Sequence, residues 1–258
     1  MRFTLYPLII GIFAATGLIW STTQAVHGKT SPRIRAALIN SSLFSGIALL
    51  FSLLVGSRLA YGFLHWGSYS NDLLKLLQLN AGGLDWLGLA MGALIAILTY
   101  AGFSSLNPAE ILSSNFHLIA ILAIGIWLGA QVAGIGYGRV VEPAWWAFPV
   151  IDSAGDIHPR IPLPAVGAVM SLLSYVIIDQ FFQRKSLPAV KTLVFATIQF
   201  ALIYLATFFR ADPMVIIGSQ PLDRLAALIH MALGLIAIAS WTGYSYWQAK
   251  KLHNQTAD

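Results

Sequence analysis

Long blocks of apolar residues alternate with short polar stretches along almost the whole chain. A helix of about 20 apolar residues crosses a hydrocarbon core of about 30 Å, so blocks of this length predict membrane-spanning helices. The predicted helices are 3–26, 36–64, 86–103, 116–137, 163–182, 189–209 and 225–247. These blocks occupy most of residues 1–258, and we therefore expect one all-α integral membrane domain, a bundle of seven transmembrane helices.

The first block follows a single arginine, Arg2, and has two interpretations. A removable signal peptide would end in a small-x-small cleavage pattern, which only Ala25 approaches. Because that pattern is incomplete, we favour a retained first helix.

The longest polar connection, residues 138–162, lies between the fourth and fifth predicted helices. Prolines predict irregular backbone, which has to lie in water or against protein because lipid offers no hydrogen-bond partners. The prolines of this connection are Pro143, Pro149, Pro159 and Pro162.

Lys and Arg in the connections indicate the orientation, because these residues favour the cytoplasmic side. With the N-terminus outside, the cytoplasmic side collects Lys29, Arg33, Arg35, Arg184, Lys185, Lys191, Lys250 and Lys251. The outer side then has Arg2, Lys75, Arg139, Arg160, Arg210 and Arg224. This balance favours an outer N-terminus, a cytoplasmic C-terminus and a periplasmic loop over 138–162.

Composition agrees with a lipid environment and narrows the chemistry. The chain is 57% hydrophobic and 10% charged, with a mean hydropathy of +0.74. Its net charge of +5 comes from basic residues scattered at block edges, which argues against nucleic acid and favours anionic lipid head groups as partners. There is no cysteine and none of the six histidines has a metal-ligand spacing, so we expect no metal site and no cofactor.

Two arginines at apolar blocks are candidates for chemistry. Arg58 lies inside the second block, where it either extends to the interface or holds a phosphate group, and the sequence leaves both open. Arg210 follows the sixth block and precedes Asp212, an arrangement that forms structural ion pairs more often than catalytic sites. His65 and His230 are interpreted as hydrogen-bonded packing residues.

Glycines recur in the third and fourth blocks. Small residues let helices, or a lipid, approach the backbone closely, and helix packing is the favoured interpretation. The glycines of the fourth block, together with Gly88 and Gly92 of the third block, predict that the third and fourth helices form a close pair. The glycines of the fourth block and its extension are Gly125, Gly129, Gly134, Gly136 and Gly138.

Four stretches carry motifs in a fixed serial order. Residues 55–61, VGSRLAY, resemble G-A/S-R-L-x-Y, and residues 82–92, GGLDWLGLAMG, resemble G-G-L-S-x-H-G-G-L-x-G. Residues 125–139 resemble a signature helix ending in Y-G-R, and W-x-x-x-F-P-like and P-R-like segments follow at 145–149 and 159–160. Residues 208–213, FFRADP, resemble F-x-R-x-D. Over about residues 40–240 the chain thus resembles the prolipoprotein diacylglyceryl transferase family of bacterial membranes.

The resemblance implies a seven-helix fold that transfers a diacylglyceryl group from phosphatidylglycerol to a lipobox cysteine thiol and releases glycerol phosphate. It implies catalytic roles for Arg210 and Tyr137, and contacts to the phospholipid phosphate from Arg58, Arg139, Arg160 and Arg210. The partners it implies are phosphatidylglycerol and the prolipoprotein signal peptide, in the inner (plasma) membrane of a bacterium. We expect a monomer.

Several signature positions differ from the family pattern. Without gaps, the histidine of H-G-G falls on Leu87 and the arginine of G-R-x-G-N-F falls on Trp127. Later polar positions of that signature fall on Ala130, Ala133 and Ile135. Because the reaction needs a base near the thiol, two hypotheses remain. One is a divergent transferase in which Tyr137 or His65 substitutes, and the other is a non-catalytic or re-purposed phospholipid-binding protein on the same scaffold.

Overall fold

The computed structural model describes residues 2–27, 31–78, 84–104, 106–151, 155–182 and 188–255. Within these ranges seven helices are long and apolar enough to cross a membrane, which confirms the predicted all-α membrane class. The helices are α1 (Arg2–Val26), α2 (Pro32–Leu64), α3 (Trp66–Tyr69), α4 (Trp86–Phe103), α5 (Pro108–Ser114), α6 (Phe116–Ala133), α7 (Leu163–Phe182), α8 (Pro188–Ala206) and α9 (Leu222–Gln255). A 3-10 turn, Leu73–Leu77, lies between α3 and α4.

The fourth membrane-spanning helix, α6, ends at Ala133 and not at the predicted Tyr137. Gly134 and Gly136 both have a φ of +69°, a left-handed conformation that glycine adopts without steric cost. The Gly134 amide donates to the Ala130 carbonyl and closes the helix. The chain then leaves the helix axis, so Tyr137 lies in the connection.

Two glycines of α4 bring this helix into backbone contact with α2. A Cβ at Gly88 would overlap the carbonyl of Gly56, and a Cβ at Gly92 would overlap the carbonyl of Ser52. Any larger residue at these positions would force the helices apart, because interiors contain few voids that could absorb the displacement. The α2–α4 pair is therefore fixed by small residues, as in other membrane bundles.

The glycines of α6 face α1 instead of α4. A Cβ at Gly125 would overlap the Phe13 side chain, and a Cβ at Gly129 would overlap Tyr6. The expected close pair of the third and fourth spanning helices, α4 and α6, is therefore wrong among the described residues. The close pairs are α2 with α4 and α1 with α6.

One end of the bundle is called the site end here. It is the end at which helices α2, α6 and α8 terminate and helices α4, α7 and α9 begin. Two antiparallel hairpins lie there, formed by β1 (Phe148–Ile151) with β2 (Ile157–Arg160) and by β3 (Ile216–Ile217) with β4 (Gln220–Pro221). The long connection that was expected to be irregular thus contains a two-stranded ribbon. Pro149 lies opposite Pro159 in this ribbon.

Candidate functional site

Residues 138–140 form the middle of a small β-like frame at the site end. On one side, Gly138 and Arg139 exchange backbone hydrogen bonds of 3.1 Å each with Ile161. On the other side, the Arg139 amide donates to the Phe209 carbonyl at 3.0 Å. A Cβ at Gly138 would overlap Ile161, so the frame closes only because this position is glycine. The frame brings residues 137–139, 160 and 210 together.

The Arg210 side chain is held by two carboxylates. Nε and Nη2 donate to Oδ1 and Oδ2 of Asp212 at 2.8 and 2.7 Å, and Nη1 donates to Asp223 Oδ2 at 2.7 Å. Burial acts to lower the pKa of Arg210, but the hydrogen bonds and charges of Asp212 and Asp223 outweigh it and raise that pKa. Arg210 is therefore a permanent cation, and the three-residue unit carries net negative charge.

The same two carboxylates connect the ends of four helices. Asp212 Oδ2 accepts a hydrogen bond from the Gly136 amide at 3.2 Å, just beyond the end of α6. Asp223, in the first turn of α9, accepts one from Trp86 Nε1 at 2.9 Å through Oδ1. Together with Arg210, which follows α8, these bonds tie α4, α6, α8 and α9 to one ion-pair network.

Asp85 lies beside this network, immediately before α4. Its amide donates to the Ser57 carbonyl at 3.1 Å, and its Oδ1 caps α4 by accepting from the Leu87 amide at 2.8 Å. Burial raises the pKa of Asp85, and the charge of Asp223 raises it further, against the lowering effect of the Leu87 hydrogen bond. Asp85 is therefore a carboxyl group with increased proton affinity.

Arg160 and Tyr137 form a stacked pair under the frame. The Arg160 guanidinium lies 4.5 Å from the centre of the Tyr137 ring, and both residues are buried. Such a cation–π contact contributes about 2 kcal/mol when it is desolvated. Arg160 also donates to the Gly138 carbonyl at 3.4 Å. The contact between Arg160 and Tyr137 therefore supports the backbone frame from its buried side.

Arg139 differs from the other predicted site arginines because its side chain is exposed. Its Nη2 donates to the carbonyl of Phe208 at 3.0 Å. This hydrogen bond orients the guanidinium without burying it. Arg139 is thus the predicted phosphate ligand that is most accessible from outside the protein.

Arg58 is 5% exposed and faces backbone carbonyls at the edge of the bundle. Its Nε donates to Leu76 at 2.7 Å, and its Nη2 donates to Lys75 and Gln78 at 2.8 and 3.0 Å. The guanidinium also lies 5.6 Å from the centre of the Tyr69 ring. Arg58 is connected to the Arg210 network through Ser57, Asp85 and α4. A phosphate contact by Arg58 stays a prediction.

The positions at which the family signature is polar carry apolar side chains here. Leu87 lies in the first turn of α4, and Trp127 packs against Gly167 and donates from Nε1 to Gln199 at 3.3 Å. Ala130 and Ile135 line a narrow surface crevice together with Tyr137, Val150, Pro162 and Pro164. Gly82 and Gly83 of the second motif lie outside the described residues.

Sequence reasoning missed Asp85, Trp86 and Asp223. Asp85 and Asp223 directly border apolar helices, where acidic residues are frequent N-terminal caps, and that signal could have drawn attention to them. The bond between Trp86 and Asp223 joins residues 137 positions apart and has no signal in the sequence. Within the described ranges, no three His, Asp or Glu residues lie close enough together to hold a metal ion.

Comparison with known proteins agrees with this fold. The model of the prolipoprotein diacylglyceryl transferase family matches residues 2–240. A phosphatidylglycerol–prolipoprotein diacylglyceryl transferase of Streptococcus uberis is 25% identical over 229 residues, which cover 86% of each chain. The enzyme of the same name from Methylococcus capsulatus is 25% identical over 181 residues, 70% of this chain and 66% of the relative. Because the family match spans nearly the whole chain, this protein belongs to the prolipoprotein diacylglyceryl transferase family.

Proposed function

We propose that this protein transfers the diacylglyceryl group of phosphatidylglycerol to the thiol of a lipobox cysteine in a prolipoprotein. Its two curated relatives carry this activity in their names. The observation that supports the proposal is the backbone frame, in which Gly138 pairs with Arg210 and is followed by the exposed Arg139. In this proposal the protein lies in a bacterial inner membrane with its N-terminus outside, so the site end faces outward.

Arg139 and Arg210 are the proposed ligands of the phosphate that leaves with glycerol. A guanidinium has five N–H donors, and Arg210 gives three of them to Asp212 and Asp223. The remaining donors of Arg210 and the exposed group of Arg139 would stabilise the negative charge that grows on the departing oxygen. Arg160 and Tyr137 act as positioning residues in this proposal, because their stacked pair supports the frame.

Asp85 is the proposed base in place of the family histidine that falls on Leu87. Its carboxylate takes the thiol proton, and the sulfur forms a bond to the terminal glyceryl carbon. The bond from that carbon to the phosphate oxygen breaks, the electron pair leaves with glycerol phosphate, and the proton follows it. The raised pKa of Asp85 brings this carboxyl group closer to the pKa of a thiol, about 8.5.

The capping role of Asp85 does not require a carboxylate. Asn and Ser cap helices as well as Asp does, so Asp85→Asn removes the base and keeps the cap. Asp72 provides a matched control, because it also caps a helical turn, accepting from the Leu74 amide at 3.2 Å, but is exposed and belongs to a different segment.

The first test of the proposal is rescue of a bacterium that is depleted of its own diacylglyceryl transferase. The wild-type chain should restore growth, and the purified protein should modify a lipobox peptide in vesicles that contain phosphatidylglycerol. If a folded, well-expressed protein does neither, the transferase proposal is wrong, and binding of phosphatidylglycerol without transfer would remain as the alternative.

The second test separates the base from the rest of the site. Asp85→Asn should lower transfer to a cysteine peptide by about 10² to 10⁴, whereas Asp72→Asn should leave it unchanged. A selenocysteine peptide is already ionised near neutral pH, so it should recover most of the activity that Asp85→Asn loses. Equal losses with both peptides would assign Asp85 a structural role. A selenocysteine-dependent recovery in His65→Gln instead would move the base to His65.

A further inference from the structure

Residues 66–78, called the arm here, fold back along α2 instead of leaving the bundle. α2 ends at Leu64, yet Arg58 binds the carbonyls of Lys75, Leu76 and Gln78. Arg58 lies about 9 Å below Leu64 along the helix axis, at 1.5 Å per residue. The Leu76 side chain fills the space in front of Gly62, one helical turn above Arg58. The arm therefore returns along α2 at least as far as Gly62, where it lies within reach of the Arg58 side chain.

The level of Arg58 in the bilayer follows from α4. This helix has 18 residues, about 27 Å of length, and it needs all of them to cross a hydrocarbon core of about 30 Å. Asp85, immediately before α4, donates to the carbonyl of Ser57. Ser57 and Arg58 therefore lie where acyl chains meet head groups, and the carbonyls that Arg58 binds lie within reach of its side chain from this level.

The arm exposes apolar side chains at this level. Leu74 and Leu77 are 72% and 77% exposed, and Trp66, a residue type that favours the membrane interface, is 56% exposed. On the part of α2 along which the arm folds back, Leu59 and Phe63 are exposed as well. Lys75, next to Leu74, is exposed as well.

We propose that the arm binds the surface of an anionic phospholipid bilayer. Its leucines lie among the outermost acyl-chain segments, and Lys75 contacts lipid phosphates. Lipid is the occupant because the arm packs on Arg58 and Gly62 of a membrane-spanning helix, next to the level at which α4 enters the hydrocarbon core. Backbone outside regular secondary structure persists next to lipid only when its polar groups have partners, and Arg58 supplies donors for three carbonyls. This inference does not rest on the transfer reaction.

The natural chain contains no cysteine, so single cysteines can be labelled without removing others. The experiment places a polarity-sensitive fluorophore on Leu74→Cys and on Leu77→Cys in nanodiscs of phosphatidylglycerol and phosphatidylethanolamine. Asn71→Cys, on the same arm, is the aqueous control, and Leu94→Cys on the exposed face of α4 is the lipid control. Quenching by nitroxide lipids and by a water-soluble quencher is then compared for all four labels.

Labels at Leu74 and Leu77 should be quenched several-fold more by nitroxide lipids than the label at Asn71, and should resemble Leu94. Equal aqueous quenching at Leu74, Leu77 and Asn71 would overturn the proposal. Arg58→Lys, combined with Leu74→Cys, tests the contribution of Arg58, because an ammonium group cannot span the same carbonyls. Its label should shift toward the Asn71 values, and an unchanged signal would show that Arg58 does not hold the arm.

Discussion

Arg58 and Arg210 are two arginines withdrawn from solvent at the same end of one bundle, yet their charges are compensated differently. Arg58 donates to neutral backbone carbonyls, whereas Arg210 donates to the carboxylates of Asp212 and Asp223. A carbonyl that loses its donor at a membrane interface can bind water. A carboxylate that loses its cation keeps its charge in poorly solvating surroundings. Arg210 should therefore be the less replaceable residue.

The largest effect is expected for Arg210→Ala. The variant leaves two carboxylates without their cation at sites where the side chains are only 12% and 18% exposed. Breaking such a pair costs about 3 kcal/mol of the free energy of unfolding, because one charge is left uncompensated. Thermal unfolding in phosphatidylglycerol nanodiscs should show a clear drop in Tm, and rescue of the depleted bacterium should be lost.

Neutralising the partners provides the matched control. The triple variant Arg210→Met, Asp212→Asn, Asp223→Asn removes all three charges, so it should recover part of the lost Tm without recovering transfer. The amide introduced at position 223 would still offer an oxygen to Trp86 Nε1. If the triple variant is no more stable than Arg210→Ala, uncompensated charge is not the cause of the destabilisation.

A smaller effect is expected for Arg58→Ala. Its carbonyl partners in the arm lose charge-assisted hydrogen bonds, which costs about 1 to 3 kcal/mol, but water at the interface offsets part of the loss. Amide hydrogen exchange should become faster in the turn Leu73–Leu77 and stay unchanged in α4 and α6. Faster exchange throughout the bundle would contradict the contrast with Arg210.

The sequence predicted the fold more completely than it predicted the surroundings of Arg58 and Arg210. Apolar block length determines which segments cross a membrane, so all seven spanning helices were found, and only their ends differed. Glycine identity predicted close helix packing, but the pairing of α2 with α4 and of α1 with α6 depends on tertiary structure.

The partners of the arginines could be predicted only in part. Asp212 is two residues from Arg210, and this nearby pair was visible in the sequence. Asp223 and Trp86 come from other helices, and nothing in the local pattern connects them. For Arg58, the sequence was compatible with two roles, binding a phosphate group or extending to the membrane interface. In the structure, its partners include backbone carbonyls of a segment that folds back along the same helix. Such contacts depend on how the chain returns after α2, which local patterns do not specify.

The smallest effect on stability is expected for Arg139→Ala, which separates binding from folding. Arg139 is exposed and gives one hydrogen bond to the Phe208 carbonyl, so its loss should change the free energy of unfolding by no more than about 0.5 kcal/mol. If it binds the departing phosphate, transfer should nevertheless fall by about 10². Arg33→Ala removes another exposed charge, at the opposite end of the bundle, and should leave transfer unchanged. Arg139 is therefore the residue at which activity and Tm should diverge most, whereas at Arg210 they should fall together. If transfer by Arg139→Ala matches the wild type, the phosphate does not bind at Arg139. The contrast between the exposed Arg139 and the partly buried Arg210 then no longer explains how the site holds the phosphate.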